Sequence, residues 1–359
     1  MFQNGALTLG YELGMSGPRA RQRQDWLAAN RTSMVVFSKI GMAVLAILVG
    51  SGGVVALFYG ANALVEHFAP ERLKGRILPW VYLAPALLLL LAYLVIPTVL
   101  TVYVSLLDAR SQSFVGFSNY ISLFADQGMG EAFRNNIFWL VGVTGVSVSL
   151  GLLIAVLADR VRYEPLPKTL IFLPMAISFV GASVIWKFIY AFRPAGTAQI
   201  GLLNGVITSL GFEPVGWLVE RSLNNFALIA IMIWLQTGFC MVLLSAAVKG
   251  IPQEMIEAAR IDGANEVQIF WRIVVPMIRS TILVVSTTTV LLVLKVFDIV
   301  YVMTAGNQGT EVLASRMFKE MFSFRHYGRG SAIAVMLLLA VIPIMVVNIR
   351  EFRHPNPTR

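Results

Sequence analysis

The sequence predicts an all-α integral membrane protein. The chain has 359 residues, of which 57% are hydrophobic and only 13% are charged, whereas an ordinary soluble domain has about 25% charged residues. Several apolar runs exceed the roughly 18 residues that span a hydrocarbon core about 30 Å thick. Such runs must be helical, because lipid offers no hydrogen-bonding partner to the backbone of an open strand.

Seven segments are long and apolar enough to cross a membrane. The candidate spans are residues 40–62, 78–107, 135–158, 168–192, 224–248, 274–303 and 330–349. Several prolines lie near the start of these spans or inside them, for example Pro97, Pro174 and Pro276. Membrane helices tolerate such prolines and bend at them. The loops between the spans are short, so we expect no separate soluble domain.

The distribution of Lys and Arg predicts which loops face the cytoplasm. If the polar segment 251–272 is cytoplasmic, the cytoplasmic segments carry twelve basic residues and the outer loops carry six. Residues 1–33 are polar, and we predict a mobile tail there. With seven spans and a cytoplasmic C-terminus, this tail and its arginines lie on the outer side of the membrane. That placement conflicts with the rule that basic residues concentrate on the cytoplasmic side. Three explanations remain open: an incompletely crossing first segment, an exception to the rule, or a translation start nearer Met34 or Met42.

Composition and motifs exclude several function classes. The net charge of +9 comes from basic residues between apolar runs, which indicates contact with lipid headgroups rather than with nucleic acid. Cys240 is the only cysteine, and the three histidines are far apart, so no metal site is predicted. The chain has no phosphate-binding G-x-x-x-x-G-K-[ST] motif and no nucleophile–base set. It is therefore not predicted to be an enzyme.

Residues 251–276 form a charged segment between two apolar runs, and in a membrane protein such a segment is where an outside partner docks. It contains Glu257, Ala258, Ala259, Gly263, Ile273 and Pro276 at ordered spacing. This spacing resembles the EAA loop of permease subunits in binding-protein-dependent ABC importers, with the pattern EAA, three residues, Gly, nine residues, I-x-L-P. Val275 in place of Leu is the only departure.

The resemblance extends over residues 78–349. Further matching elements are Gly116–Tyr120, Ile185–Lys187, Gly201–Asn204, Phe297-Asp298 and Tyr301–Thr304. The runs at 175–194 and 291–300 resemble the α-glucoside branch of the maltose permease family. The resemblance implies a six-helix permease core at 78–349. An accessory N-terminal transmembrane helix with a cytoplasmic loop (34–77) precedes this core, and a cytoplasmic tail (350–359) follows it.

The same resemblance implies the partners and the location. A second permease subunit completes the pore, two ABC ATPase subunits dock at the EAA loops, and an extracytoplasmic sugar-binding protein delivers the solute. ATP and magnesium are bound by the ATPases, so no cofactor is expected in this chain. The expected location is the bacterial cytoplasmic (inner) membrane, with several passes through the bilayer.

The residue types of the coupling segment suit contact with an ATPase. Ala258 and Ala259 are small enough for close approach, and Glu257 offers a charge-assisted contact. Gly263 permits a turn with positive φ between two short helices. Pro276 suits the first turn of the following span. The predicted coupling residues are Glu257, Ala258, Ala259, Asp262, Gly263, Ile273 and Pro276.

The resemblance also implies a solute path between two permease subunits, lined by the helices before and after this segment. Its candidates are Gln236, Thr237, Thr289, Lys295 and Asp298. Charges within a membrane are costly and are usually functional. Lys295 and Asp298 are three residues apart, on one predicted helical face, so an ion pair that only holds helices together is an equal alternative.

Aromatic residues and the solute remain open. Trp186, Trp234 and Tyr301 suit either stacking on a pyranose or packing at the membrane interface. An ion-coupled secondary sugar transporter is the alternative function, although it would need more buried carboxylates than this core contains. Maltose-type sugars, trehalose, sucrose and glucosylglycerol all fit the sequence.

Overall fold

The computed structural model describes residues 18–68, 70–159 and 161–353. In these residues every regular element is a helix, and the only β-type pairing is an isolated bridge between Leu107 and Phe114. The chain divides into two compact units, Met1–Ile96 and Pro97–Arg359. The all-α prediction is confirmed.

The helices, in chain order, are bounded as follows. The first are α1 (Pro18–Phe68), α2 (Glu71–Leu90), α3 (Ile96–Ser105), α4 (Ser118–Phe124), α5 (Gln127–Ala158), α6 (Pro165–Phe172), α7 (Phe179–Ile189) and α8 (Leu202–Ser209). The rest are α9 (Asn224–Lys249), α10 (Gln253–Ile261), α11 (Glu266–Ile269), α12 (Val275–Met277), α13 (Arg279–Leu294), α14 (Asp298–Thr304), α15 (Leu313–Phe318) and α16 (Tyr327–Arg353). Three π-helical turns (Leu91–Val95, Phe270–Val274 and Lys319–Ser323) and one 3₁₀ turn (Leu173–Ala176) continue neighbouring helices.

Helix α1 begins earlier than the sequence predicts. A mobile tail is expected at residues 1–33, but residues 18–33 are helical. Residues 1–17 lie outside the described part of the chain. The arginines at 19, 21 and 23 do not oppose helix formation, since arginine has a high helix propensity.

Five helices of the described chain are long and apolar enough to cross a membrane. They are Ser38–His67, Glu71–Ser105, Gln127–Ala158, Asn224–Lys249 and Tyr327–Arg350. Two bent helix pairs pass the same test, so the number of spans rises to seven if each pair is one span. The predicted number of spans is reached in this way, but two of the predicted spans are not straight.

The predicted span 168–192 is broken at its centre. The helical stretches Pro165–Ala176 and Phe179–Ile189 meet at an angle of 102°. The chain bends there because the backbone of Ile177 is extended, with ψ 135°. The Ser178 side chain then caps α7 by accepting a hydrogen bond from the Gly181 N–H at 3.1 Å. The serine hydroxyl satisfies a backbone N–H that the break exposes. The sequence prediction does not include this cap.

The predicted span 274–303 is broken twice. Glu266–Met277 meets Arg279–Leu294 at 71°, and the helix then ends at Leu294 instead of continuing to residue 303. Pro276 lies two residues before the first bend, where its missing N–H removes a helical hydrogen bond. The second break covers residues 295–297 and separates α13 from α14.

Helices α5 and α9 pack closely through glycine. A β-carbon placed on Gly151 of α5 would lie 2.6 Å from Cβ of Cys240 and 2.8 Å from the backbone N of Met241, both on α9. Such contact requires a residue without a side chain, as is common between membrane helices. Around it a buried cluster of apolar residues includes Leu152, Leu244 and Val285.

Gly238 of α9 packs against the backbone of the first bent pair. A β-carbon at Gly238 would lie 2.5 Å from the Ile171 carbonyl oxygen and 2.8 Å from Cα of Phe172. Backbone atoms cannot rotate aside, so we expect G238A to lower the free energy of unfolding by about 1–3 kcal/mol. Thermal unfolding of the detergent-solubilised protein measures this.

Gly145 provides the matched control for that substitution. It also lies within a long helix, but a β-carbon added to it would have no other heavy atom within 4 Å. G145A is expected to keep or slightly raise the melting temperature, since alanine has the higher helix propensity. Equal melting temperatures for G238A and the wild type would contradict the predicted contact.

An ion network joins the elements at the end of the molecule opposite the coupling segment. Arg316 Nη2 lies 2.8 Å from Asp126 Oδ2 and 3.0 Å from Glu320 Oε1, and Arg316 Nη1 lies 3.4 Å from Glu311 Oε2. Arg329 also bonds to Asp126, at 2.9 Å. Burial alone would raise the pKa of the Asp126 carboxyl. The charge of Arg316 and a hydrogen bond from a backbone N–H lower that pKa by more than burial raises it, so the pKa of Asp126 is below its ordinary value.

Candidate coupling segment and solute path

The coupling segment is a helix–turn–helix. Helix α10 ends at Ile261, Asp262 follows as its C-cap, and Gly263 has φ +82°, which is the conformation predicted for it. Asn265 then starts α11 with a capping box: its side chain accepts from the Gln268 N–H at 2.9 Å, and the Gln268 side chain accepts from the Asn265 N–H at 2.9 Å. These contacts fix the angle between the two helices.

One face of α10 is exposed and has a defined chemistry. Glu254, Glu257, Ala258 and Ile261 follow the i, i+3, i+4, i+7 spacing of a single helical face and are all exposed, with Ile261 87% accessible. Within the described residues the Glu257 carboxylate takes part in no ion pair. The face therefore offers an acidic group beside small and apolar side chains.

Ala259 does not belong to this face, contrary to expectation. It is half-buried and packs, together with Ile256, against the chain's own cluster around Ile251 and Ile269. The reason is geometric, because Ala259 is one residue beyond Ala258 and points about 100° away around the helix. Of the two small residues, Ala258 is exposed and Ala259 is only partly accessible.

The end of the segment consists of the turns that lead into α13. Ile273 is half-buried in the π-helical turn and Pro276 is exposed in α12. The sequence predicts Pro276 in the first turn of a new span, but it lies near the end of a continuous helical stretch, Glu266–Met277. Asp262 and Gly263 are both exposed at the turn.

An ion cluster connects this end of the molecule to the bent helix pair. Lys168 of α6 bonds to Asp159, Glu164 and Ser245, and Glu164 also bonds to Lys249, the last residue of α9. Hydrogen bonds from Lys168 and Lys249 lower the pKa of the Glu164 carboxyl to about 2, so it stays ionised at neutral pH. The cluster links α6 to α9, the helix directly before the coupling segment.

Sequence reasoning missed this cluster. From the sequence, Lys168 and Lys249 are only topology determinants. Glu164 is the N-cap of the helix that contains Lys168 and lies four residues before it, but the other partners lie on another helix or in the loop. The sequence does hold one sign of an ion cluster, because Asp159 and Glu164 flank the basic residues of the loop between them. Pairing across 77 to 86 positions cannot be recognised from local spacing.

Three predicted path residues are packed inside the chain. Thr237 donates to the Ile233 carbonyl at 2.7 Å and Thr289 donates to the Val285 carbonyl at 2.9 Å, each within its own helix. Gln236 is also buried. Thr289 lies 3.8 Å from the Cys240 sulfur, so it is a helix-packing residue in this structure.

Lys295 and Asp298 do not lie on one helical face. Lys295 is the C-cap of α13, Asp298 is the first residue of α14, and the helix is broken between them. No ion pair within 4.0 Å joins these two described side chains. The described residues thus do not form the structural ion pair that the sequence left open as one alternative, and Lys295 is exposed while Asp298 is partly exposed.

The helix break borders a small cavity of about 30 Å³. Its walls come from the two helices predicted to line the path and from α7. The lining residues are Phe179, Met232, Leu292, Lys295, Val296, Phe297, Asp298 and Ile299. Asn136 of α5 stabilises the break, because its side chain donates to the Leu294 carbonyl at 3.1 Å and accepts from the Leu313 N–H at 2.8 Å.

The comparison with known families identifies the chain's class. Residues 147–350 match the family described as binding-protein-dependent transport system inner membrane component. This region contains the coupling segment, both bent helix pairs and the helix break described above. The match supports the ATP-driven importer and gives no support to the ion-coupled alternative.

Two curated relatives are similar over most of the chain. The osmoprotective compounds uptake permease protein GgtC of Synechocystis is 72% identical over 278 residues, which are 77% of this chain and 100% of the relative. The alpha-glucoside transport system permease protein AglF of Rhizobium meliloti is 49% identical over 322 residues, 86% of this chain and 96% of that protein.

A solved structure supports the fold. A chain of a bacterial alginate ABC transporter, crystallised in complex with an alginate pentasaccharide-bound periplasmic protein, superimposes with a TM-score of 0.69. It is 20% identical, and the match covers 80% of this chain and 98% of that one. The chain therefore belongs to the family of inner membrane components of binding-protein-dependent transport systems, and it is a permease subunit of an ABC importer.

Proposed function

We propose that this chain forms half of the translocation pore of an importer for a small α-glucoside or a related di- or oligosaccharide. The exposed face of α10 carries the proposal, because it presents Glu257, Ala258 and Ile261 with no partner in the described chain. A permease that lacks its own ATP site must receive work through such a surface. The coupling role of Asp262, Gly263, Ile273 and Pro276 is to hold this face in position.

The proposed complex contains four kinds of subunit. Two ABC ATPases bind ATP and magnesium and contact α10 of this chain and its equivalent on a second permease. The second permease completes the pore. An extracytoplasmic sugar-binding protein delivers the solute, in agreement with the family description.

The solute class rests on the relatives. The permease that is 49% identical is named for α-glucosides, and the one that is 72% identical is named for osmoprotective compounds. A glycosylated compound with few charges is consistent with the names of both relatives. We assign transport to the core at residues 78–349, and an accessory role to residues 34–77.

Reconstitution tests the proposal directly. The complete complex in liposomes is supplied with binding protein loaded with maltose, trehalose, sucrose or glucosylglycerol, and ATP hydrolysis and sugar uptake are measured. At least one of these sugars should stimulate both activities. Uptake that is collapsed by an ionophore and is insensitive to ATP depletion would overturn the proposal.

A further inference from the structure

Two contacts hold α6 to α9, about two helical turns apart. At the first, Gly238 of α9 lies directly against the backbone of Ile171 and Phe172 in α6. At the second, the Ser245 hydroxyl of α9 bonds to the Lys168 ammonium group of α6. Because two turns of an α-helix contain about seven residues, Gly238 and Ser245 lie on one face of α9. Helix α6 therefore runs along this face.

The second contact belongs to the ion cluster formed by Asp159, Glu164, Lys168 and Lys249. Lys168 is its centre, because it bonds to the C-cap of α5 (Asp159), to the N-cap of α6 (Glu164) and to Ser245 of α9. The side chains of Lys168 and Asp159 are each only 15% exposed. A lysine at a helix end commonly extends its charge into water, whereas Lys168 directs its charge inward and joins three helices.

The glycine contact and the ion cluster hold α6 in different ways. Close apolar packing has no preferred direction, so the contact at Gly238 alone would let α6 slide along α9. Hydrogen-bonded ion pairs form only within a narrow range of distances and angles. A buried ion pair adds little net stability compared with apolar packing, but it can fix the register of two helices. The cluster thus fixes where α6 lies along α9.

The connection from α9 to the coupling segment is short and packed. Only residues 250–252 separate α9 from α10. The Ile251 N–H donates to the Val248 carbonyl at 3.1 Å, and the Ile251 side chain is buried in an apolar cluster with Ile269 of α11. Ile171 of α6 packs against the same apolar cluster. A displacement of α10 is therefore passed to the end of α9 without slack.

We propose that the ion cluster is the joint that transmits a displacement of α10, through α9, to the first bent helix pair. This inference rests on the proposed function, because it takes α10 as the ATPase contact, and it adds the residues that carry the movement onward. Glu164, Lys168 and Lys249 are positioning residues that act through the helices they join. When the joint is broken, the ATPases still move α10, but α6 no longer follows.

The number of sugar molecules imported per ATP hydrolysed tests the joint. The complete complex in liposomes is supplied with binding protein that carries whichever of maltose, trehalose, sucrose and glucosylglycerol the wild type imports fastest. K168M removes the central charge and keeps an apolar stem of similar length. We expect ATP hydrolysis to continue and the ratio to fall about tenfold, since a residue that couples two sites has lost its contacts.

A double-mutant cycle tests the outer edge of the same cluster. Lys249 is 53% exposed and bonds to Glu164 at 2.5 Å, so substitutions there leave the buried centre in place. E164Q and K249M should each lower the ratio about threefold. If both residues act through their shared bond, the double variant should also lower it about threefold, whereas independent effects would multiply to about ninefold.

Lys74 provides the matched control. It also bonds to a glutamate, Glu71 at 2.5 Å, but both residues lie on α2 and their bond joins no second helix. K74M removes the same charge and the same type of bond. It should leave the ratio of sugar to ATP at the wild-type value.

The outcomes separate the joint from the proposed function. A wild-type ratio in K168M, E164Q and K249M, or independent effects in the cycle, would overturn the inference while the proposed function stands. A loss of uptake and hydrolysis in equal proportion in these variants would show that the cluster only supports folding, and would also overturn the inference. If K168M does not assemble, the cycle decides. A wild-type complex that imports no sugar with ATP would overturn the proposed function itself.

Discussion

Replacing Glu257 with lysine is expected to abolish ATP-dependent uptake. Glu257 is exposed on the side of α10 that we propose as the ATPase contact, and it has no ion pair in the described residues. Reversing its charge therefore leaves the internal contacts of the chain intact. At a docking surface a like-charge contact costs several kcal/mol. We expect association with the ATPase subunits to weaken about 100-fold, which corresponds to about 3 kcal/mol. Co-purification and uptake measure this loss.

Glu213 provides the matched control for the charge reversal. It is also exposed, but it lies in the loop between α8 and α9, away from the coupling segment. E213K changes the net charge equally and should leave ATPase association at the wild-type level. If E257K retained both ATPase association and uptake, α10 would not be the coupling surface.

Replacing Arg316 with methionine is expected to cause the largest loss of stability. Arg316 is only 16% exposed and contacts three carboxylates, including Glu320, which is 1% exposed. The substitution removes the one cation that contacts all three acids, while Arg329 still pairs with Asp126 and Glu320, and Lys319 with Glu311. Breaking a buried ion pair costs about 3–5 kcal/mol, which corresponds to a fall in melting temperature of roughly 5–15 °C for a chain of this size.

Arg110 serves as the control for Arg316. It is exposed, and no ion pair involves it among the residues described, so R110M should change the melting temperature by less than about 2 °C. The double variant R316M/E320Q should recover part of the lost stability, since it removes one of the negative charges that Arg316 balances. Equal melting temperatures for R316M and R110M would show that the network contributes nothing to folding.

The sequence predicted the features that depend on local chemistry. Apolar runs longer than about 18 residues identify membrane helices through transfer free energy alone, and the described chain has five such helices and two bent pairs that pass the same test. Gly263 was recognisable because few other residues adopt positive φ at low cost. The exposed positions of Glu257 and Ala258 on α10 agree with the contacts that their residue types suggested.

The breaks within spans could not be predicted from hydropathy. Residues 295–297 are Lys, Val and Phe, and nothing in their propensities forces a helix to end there. The break is stable because Asn136, more than 150 residues away, binds the exposed backbone. The sequence left an ion pair between Lys295 and Asp298 open as one of two alternatives, and that alternative assumed a continuous helix that the structure does not have.

Long-range pairing explains the remaining omissions. The bonds of Asp126 to Arg316 and Arg329 join residues about 200 positions apart, and the sequence gives no sign of their proximity. Ala259 illustrates a different limit. A pattern of adjacent small residues does not reveal which of them faces the partner, because that depends on which side of the helix packs against the chain.

The Asn136 side chain makes the opening in the helix a permanent feature of the fold. One amide group satisfies the carbonyl at the end of α13 and the N–H at the start of α15, so the intervening residues keep their shape without a bound solute. The loss of conformational entropy at this break occurs once, when the protein folds. A ligand that binds at this break would meet a preorganised surface, and its binding would not bear the cost of ordering these residues.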